Sequence, residues 1–277
     1  MRDDLYWTFY DSDEKIKVTS DDVVFWYNEI VGDPEFQSSG YNGQFISMPD
    51  GSQAHIDMEK IDDRTFVFRY PRIISEPLLH CNMDFGPRFI YEKAKKEGGV
   101  QGVKSICSID MNPKELPSIG RNYLVEYFPG QRLVYKRNPH FWEKDINGVA
   151  VAYPEEMIVN IVSDRNTEFL LFNEGKLEGY SPRPEELTDV VNNSGKDYTV
   201  FNGGGSLGSG LWSFNQNPVN KDKPFYNWFT KKEFRQAMSC LLNRDRIISQ
   251  AYRGMGVPNY YFFPEPNPFF NPEITFT

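Results

Sequence analysis

The run Tyr123-Leu124-Val125-Glu126-Tyr127-Phe128, the pair Pro129-Gly130 and the run Arg132-Leu133-Val134-Tyr135-Lys136-Arg137 constrain the fold more than any other stretch. Both runs are rich in β-branched and aromatic residues. Proline presets φ for the first corner of a turn and glycine accepts the left-handed corner, so the sequence reads as strand, turn and strand. A purely helical fold is thereby excluded. Helical signals stand beside it: Thr19-Ser20-Asp21-Asp22 offers a hydroxyl cap and two carboxylates ahead of Val23-Val24-Phe25-Trp26-Tyr27-Asn28-Glu29-Ile30, and predicts a helix over 21–31. Strand character follows at Gln44–Met48 and Thr65–Tyr70. Good helix formers within 86–98 run to the stop residues Gly98-Gly99. The first half is mixed α and β.

In the second half, Met157–Val162 alternates as a strand, and Asn166–Glu174 reads as a helix stopped at Gly175. Tyr198–Phe201 and Leu211–Asn215 are expected to be two strands around a glycine-rich turn. Phe234, Ala237, Met238, Leu241 and Leu242 form one apolar helical stripe, and Asn243 or Asp245 caps a second helix carrying Ile247, Ile248, Ala251 and Tyr252, closed by Gly254. The stretch from Pro258 to Pro272 alternates rings and prolines. It fits no central strand or helix and is expected to expose apolar surface over 258–270.

Thirty Lys and Arg against 39 Asp and Glu give a net charge of −9 over 277 residues, with no basic cluster suited to phosphates, so nucleic acid is not an expected partner. No apolar run approaches the length that spans a bilayer. Cys81, Cys107 and Cys240 lack CxxC spacing, and His55, His80 and His140 are far apart, so no metal site and no cofactor is read. His80-Cys81 are neighbours expected on opposite faces of a strand, with the cysteine a small buried apolar group. Residues 203–210 formally match GxGxxG and GxSxG. Both matches fail because Leu211-Trp212-Ser213-Phe214 has strand rather than helix character, and every histidine precedes Ser206. The pairs Asp21-Asp22, Glu155-Glu156 and Glu185-Glu186 read as solvated partners of helix starts and turns. No catalytic set is assembled.

The order of segments carries more. Thr19-Ser20-Asp21-Asp22-Val23-Val24-Phe25-Trp26-Tyr27-Asn28 resembles the T-A-D-D-V-V-F-x-Y-N segment of the family 5 extracellular solute-binding proteins, the peptide- and oligopeptide-binding subunits of ABC importers. The hairpin from Tyr123 through Pro129-Gly130 to Arg137-Asn138-Pro139-His140-Phe141-Trp142 is similar to that family's Y-x-P-G hairpin with its R-N-P-x-Y-W end. Phe172-Asn173-Glu174-Gly175-Lys176-Leu177-Glu178 resembles the family's L-x-x-G-E-I-D helix end. Leu211–Pro218 is similar to its hinge strand, and Phe234-Arg235-Gln236-Ala237-Met238 through Arg244 and Ile248 to its R-Q-A helix pair. The match runs in order from residue 19 to about 256. Where the family has Gly-Pro-Tyr before the hairpin, this chain has Gly120-Arg121-Asn122-Tyr123.

The resemblance implies an α/β, periplasmic binding protein-like class II fold, two lobes joined by hinge strands, here incomplete at both ends. Lobe I would occupy 1–212, the hinge crossing 213–217 and the start of lobe II 218–277. It implies a periplasmic or extracellular protein that closes on a peptide or other small solute, passes it to membrane permease subunits, and meets the membrane only through them or a lipid anchor. It implies no catalysis. On that alignment Gly205, Ser206, Leu207 and Gly208 let a ligand backbone approach, and Trp212 and Asn215 supply a ring face and an amide; Trp212 reads equally well as core. Trp7 and Trp26 read as core. The acidic residue that meets a peptide's free amine in this family would lie beyond Thr277. An oligosaccharide is the alternative ligand. The alternative class is a carbohydrate-active enzyme, since 22 Phe, 5 Trp, 16 Tyr and many carboxylates suit a sugar cleft.

Overall fold

A computed structural model describes residues 1–273. Contacts between α-carbons divide the chain into two compact units, Met1–Ser163 and Asp164–Thr277. The expected crossing at 213–217 falls inside the second.

The first unit begins with a short antiparallel pair, β1 (Tyr6–Thr8) and β2 (Lys15–Lys17), with Trp7 opposite Ile16. Helix α1 (Ser20–Phe25) starts where the sequence places it. The Asp22 carboxylate accepts from the Thr19 N–H through Oδ2 at 2.9 Å and from the Arg88 N–H through Oδ1 at 2.8 Å. Arg88 opens α2 (Arg88–Ile106), so one buried side chain satisfies orphan N–H groups at two helix starts. The expected helix over 21–31 changes pitch midway: Trp26–Val31 is a π-helical turn, in which the Gly32 N–H reaches the Tyr27 carbonyl at 2.9 Å. That carbonyl also accepts from the Gln44 Nε2 at 2.7 Å.

Beyond the turn lie two antiparallel hairpins, β3 (Phe45–Ser47) with β4 (Gln53–His55), and β5 (Asp57–Asp62) with β6 (Thr65–Arg69). The buried core here joins Val23, Tyr27 and Met58, with Phe66, Phe68 and Phe85 against it. The Tyr27 hydroxyl donates to the Ile56 carbonyl at 2.8 Å. The stop at Gly98-Gly99 is real but local. Gly99 takes φ 57° and ψ −144°, a conformation that glycine adopts without steric cost, and the helix resumes to Ile106.

The hairpin expected from the sequence forms as β7 (Asn122–Phe128) and β8 (Arg132–Arg137), and β9 (Glu156–Asn160) adds a third antiparallel strand. Its anchor is Asn138, 1% exposed. The Asn138 Nδ2 donates to the Gly120 carbonyl at 2.9 Å and to Thr8 Oγ1 at 3.2 Å, while its Oδ1 accepts from the His140 N–H at 2.8 Å. The Tyr123 hydroxyl lies 2.7 Å from Thr8 Oγ1 and 2.8 Å from Asn138 Oδ1, and Thr8 exchanges backbone bonds with Ser118. Asn138 is thus a buried knot that fastens β1 to the three-stranded sheet.

The second unit contains α3 (Arg165–Asn173), α4 (Leu187–Asn192), α5 (Tyr226–Phe229), α6 (Lys232–Leu241) and α7 (Arg244–Gln250). Asp164 caps α3 through the Thr167 N–H at 2.8 Å, and Asn243 caps α7 through the Arg246 N–H at 2.9 Å. The strands expected at 198–201 and 211–215 do not form. Asn202, Ser206 and Asn215 each bond a backbone N–H two residues on, which competes with ladder formation, and the glycines give a strand little to pack. The rings of the tail do stand in solvent, Phe262 at 83% and Phe269 at 73% exposure.

Removing either knot exposes its cost. Asp22→Ala is expected to destabilise the first unit by about 2 kcal/mol, because two helix starts lose their acceptor. Asn138→Ala should cost about 2 kcal/mol by removing the side-chain partner of the Gly120 carbonyl and of the His140 N–H. Urea unfolding followed by far-UV circular dichroism measures both, and a midpoint unchanged in either variant contradicts the corresponding assignment.

Candidate functional site

The segment between α4 and the 3-10 turn Pro218–Asn220 holds every residue that the sequence nominates for binding. Its backbone over 201–216 makes no backbone–backbone hydrogen bond among the described residues. Small local turns shape it instead. The Asn202 Oδ1 accepts from the Gly204 N–H, the Ser206 Oγ from the Gly208 N–H and the Asn215 Oδ1 from the Asn217 N–H, each at 3.0 Å. Gly204 sits at φ 77°. Trp212 is 65% exposed, with Leu207 and Leu211 exposed beside it in sequence, so the core reading of Trp212 is overturned.

Two frames hold this segment. At its start, the Tyr198 hydroxyl donates to the Val190 carbonyl at 3.0 Å and the Val200 N–H to Ser194 Oγ at 3.1 Å. Tyr198 packs on Phe172, and Phe172 on Tyr180, with ring centroids 4.8 and 5.2 Å apart. Below this stack Glu186, 5% exposed, accepts from the Arg183 guanidinium through Oε1, and from the Tyr180 hydroxyl and the Arg183 N–H through Oε2 at 2.5 and 2.9 Å. Burial opposes ionisation of Glu186, but the Arg183 guanidinium, then the Tyr180 hydroxyl and the Arg183 N–H, outweigh it and lower its pKa. Tyr180 is pushed up to about 12, first by burial and then by that carboxylate. At the other end Phe214 packs edge-on against Phe229 at 5.1 Å and Phe234 at 5.9 Å.

Three contacts lay outside sequence reasoning. The Asn259 amide donates to Ser209 Oγ at 2.8 Å, fifty residues along the chain. A methyl added at Gly205 would lie 2.8 Å from Pro266 Cγ, so the glycine permits that close approach. Phe214, read as part of a strand and of the hinge crossing, is the aromatic anchor. No periodicity signals contacts between irregular segments. The structure therefore brings Gly205 and its neighbours to the aromatic tail, while Ser206, Leu207, Gly208, Trp212 and Asn215 share one exposed strip.

Elsewhere, Trp7 is buried at 4% exposure and Trp26 is half-buried, 4.8 Å from Tyr91 in an edge-to-face pair. His80 and Cys81 lie on the 3-10 turn Pro77–Cys81 rather than a strand, and Cys81 is exposed, contrary to its expected burial, because that turn lies on the surface. Among the described residues no group of three or more His, Cys, Asp or Glu is placed to hold a metal ion. Nor is any helix of those residues long and apolar enough to cross a membrane. Two open surface hollows occur in the first unit, one beside Arg2 and Trp142, the other beside Tyr70 and Pro77.

The fold is that of the periplasmic binding proteins. DppA from Helicobacter pylori, an ABC transporter-associated periplasmic binding protein solved in complex with the peptide STSA, superposes with a TM-score of 0.66 over 99% of this chain and 50% of its own, at 15% identity. MelB, a periplasmic binding protein from Agrobacterium fabrum solved with stachyose, superposes with a TM-score of 0.60 over 89% of this chain and 38% of its own, at 19% identity. The chain belongs to the bacterial extracellular solute-binding proteins, family 5, whose middle-region model matches residues 1–277. A probable ABC transporter-binding protein of Deinococcus radiodurans is 28% identical over 256 residues, which are 88% of this chain and 41% of that protein. The chain thus spans less than half the length of that curated relative.

Because the Glu186 pKa is lowered from an ordinary 4.5, the stability it contributes is complete above that value and is lost as pH falls below it. Glu186→Gln should lower the melting temperature at pH 7 and flatten its decline as pH falls below about 4.5. Equal acid limbs for the two proteins, read by thermal melts across that range, contradict the assignment.

Proposed function

We propose that this chain is part of the substrate-binding component of an ABC importer, and that it helps to hold an extended peptide in an interlobe cleft closed by hinge motion. The observation that carries the reading is the strip 201–216, whose backbone pairs with no other backbone among the described residues and whose Trp212 is exposed, in a chain of this family. An extended peptide presents N–H and C=O groups at the spacing of such a backbone, and a ring face adds contact area without charge. Gly208 admits the ligand backbone, Gly205 lets Pro266 close up beside it, Ser206 and Asn215 supply polar atoms, and Leu207 and Trp212 supply apolar contact. Lobe I over 1–212, a crossing at 213–217 and the start of lobe II from 218 follow from this reading. Closure is a population shift: the ligand favours the closed form by touching both lobes only there.

The reading places the protein on the periplasmic or extracellular face of the cell envelope, with permease subunits as its partners and binding without chemistry as its role. Oligosaccharide is the second ligand reading, supported by the exposed ring of Trp212 near the Asn215 amide in sequence and by the stachyose complex of a fold relative. Isothermal titration with tetrapeptides and with stachyose separates the two. Peptide binding with micromolar affinity, weakened about tenfold by Trp212→Ala, is expected, with the peptide recovered intact by mass spectrometry. Binding of stachyose and of no peptide would overturn the peptide reading, and cleaved peptide would overturn transport.

A further inference from the structure

Between Asp197 and Lys221 the sequence contains no Asp, Glu, Lys, Arg or His, in a chain whose residues are 25% charged. This neutral run encloses the strip with the free backbone. Among its exposed side chains, Phe201, Leu207, Leu211 and Trp212 are apolar, Asn202, Ser206 and Asn215 are uncharged and turned back on the main chain, and Ser213 and Gln216 are uncharged. The tail fastened to the strip adds more rings: Pro266 lies against Gly205, Asn259 holds Ser209, and Phe262 and Phe269 are exposed nearby in sequence. Glu265 is the one acidic residue between Asn259 and Asn271.

Resting on the peptide reading above, we infer that this strip selects uncharged, apolar side chains: it is the specificity surface for a neutral stretch of extended peptide. The physical reason lies in desolvation. A ligand ammonium or carboxylate brought against Leu207, Leu211 and Trp212 loses water and finds no counter-charge on the strip, whereas an apolar side chain gains by leaving water. Apart from the Gly204 and Gly208 N–H groups, which donate to side chains of the strip, the main-chain N–H and C=O groups make no backbone pair and supply affinity to any peptide without discrimination. Selectivity then comes from the side chains alone, and because no ion pair forms, binding is insensitive to salt.

The test uses the whole chain and three tetrapeptides of one length with blocked termini, carrying central Phe-Leu, Lys-Lys or Glu-Glu, titrated by calorimetry in about 0.05 and 0.5 M NaCl. The Phe-Leu peptide is expected to bind at least about tenfold more tightly than either charged peptide, with less than about a twofold change in affinity between the two salt concentrations. Leu207→Glu, a substitution at an exposed site, should bring the Lys-Lys peptide to within about threefold of Phe-Leu and make its binding weaken with salt. Equal or tighter binding of a charged peptide to the native chain overturns the selectivity while leaving the peptide reading intact. Failure of Leu207→Glu to change the order of the peptides also overturns it. If none of the three binds, while stachyose does, the peptide reading itself fails and the selectivity with it.

Discussion

One buried carboxylate ties the first unit together. Asp22 accepts from the backbone at the start of α1 and at the start of α2, elements joined by more than sixty residues of chain. The core of Val23, Tyr27 and Met58 forms against the helix that Asp22 starts. A hydrophobic cluster sets no register by itself. A charge-assisted bond to two defined N–H groups does, since any displacement leaves a buried carboxylate without donors. Asn138 does the same for the three-stranded sheet, with amide and hydroxyl groups in place of a charge.

The second unit is built differently. It has helices but no ladder among the described residues, and its irregular segments are held by ring contacts and by the Glu186 and Arg183 pair. Aromatic packing tolerates small shifts in angle that a hydrogen-bonded ladder does not. The glycine-rich strip, mounted on rings rather than in a sheet, pairs with no other backbone among the described residues.

The motifs that reveal the family are mostly architectural. Asp21-Asp22 proves to be a cap, with Asp21 also paired to Lys60 at 2.6 Å, and Asn138 of the Arg-Asn-Pro motif is a buried knot. Their spacing was legible because caps and turns are local: each acts within a few residues of itself, so the signal survives in the sequence. The glycine-rich strip was also visible as a glycine-rich run, but its expected strands were not found, because side-chain bonds two residues long compete with pairing at long range.

The amino-acid sequence by itself determined the hairpin at Pro129-Gly130, the start of α1, the stop at Gly99, the helix pair after Lys231 and the family. Each rests on propensities and bonds within about one turn of chain. Tertiary structure alone decided that the Asp22 carboxylate also caps α2, that Asn138 joins Thr8 to the sheet, that the helix continues as a π turn beneath Gln44, and that Ser209 and Gly205 meet the tail. These contacts join residues tens of positions apart in irregular chain. No periodicity encodes them, and their partners are chosen only when the packed core brings the segments within hydrogen-bond reach.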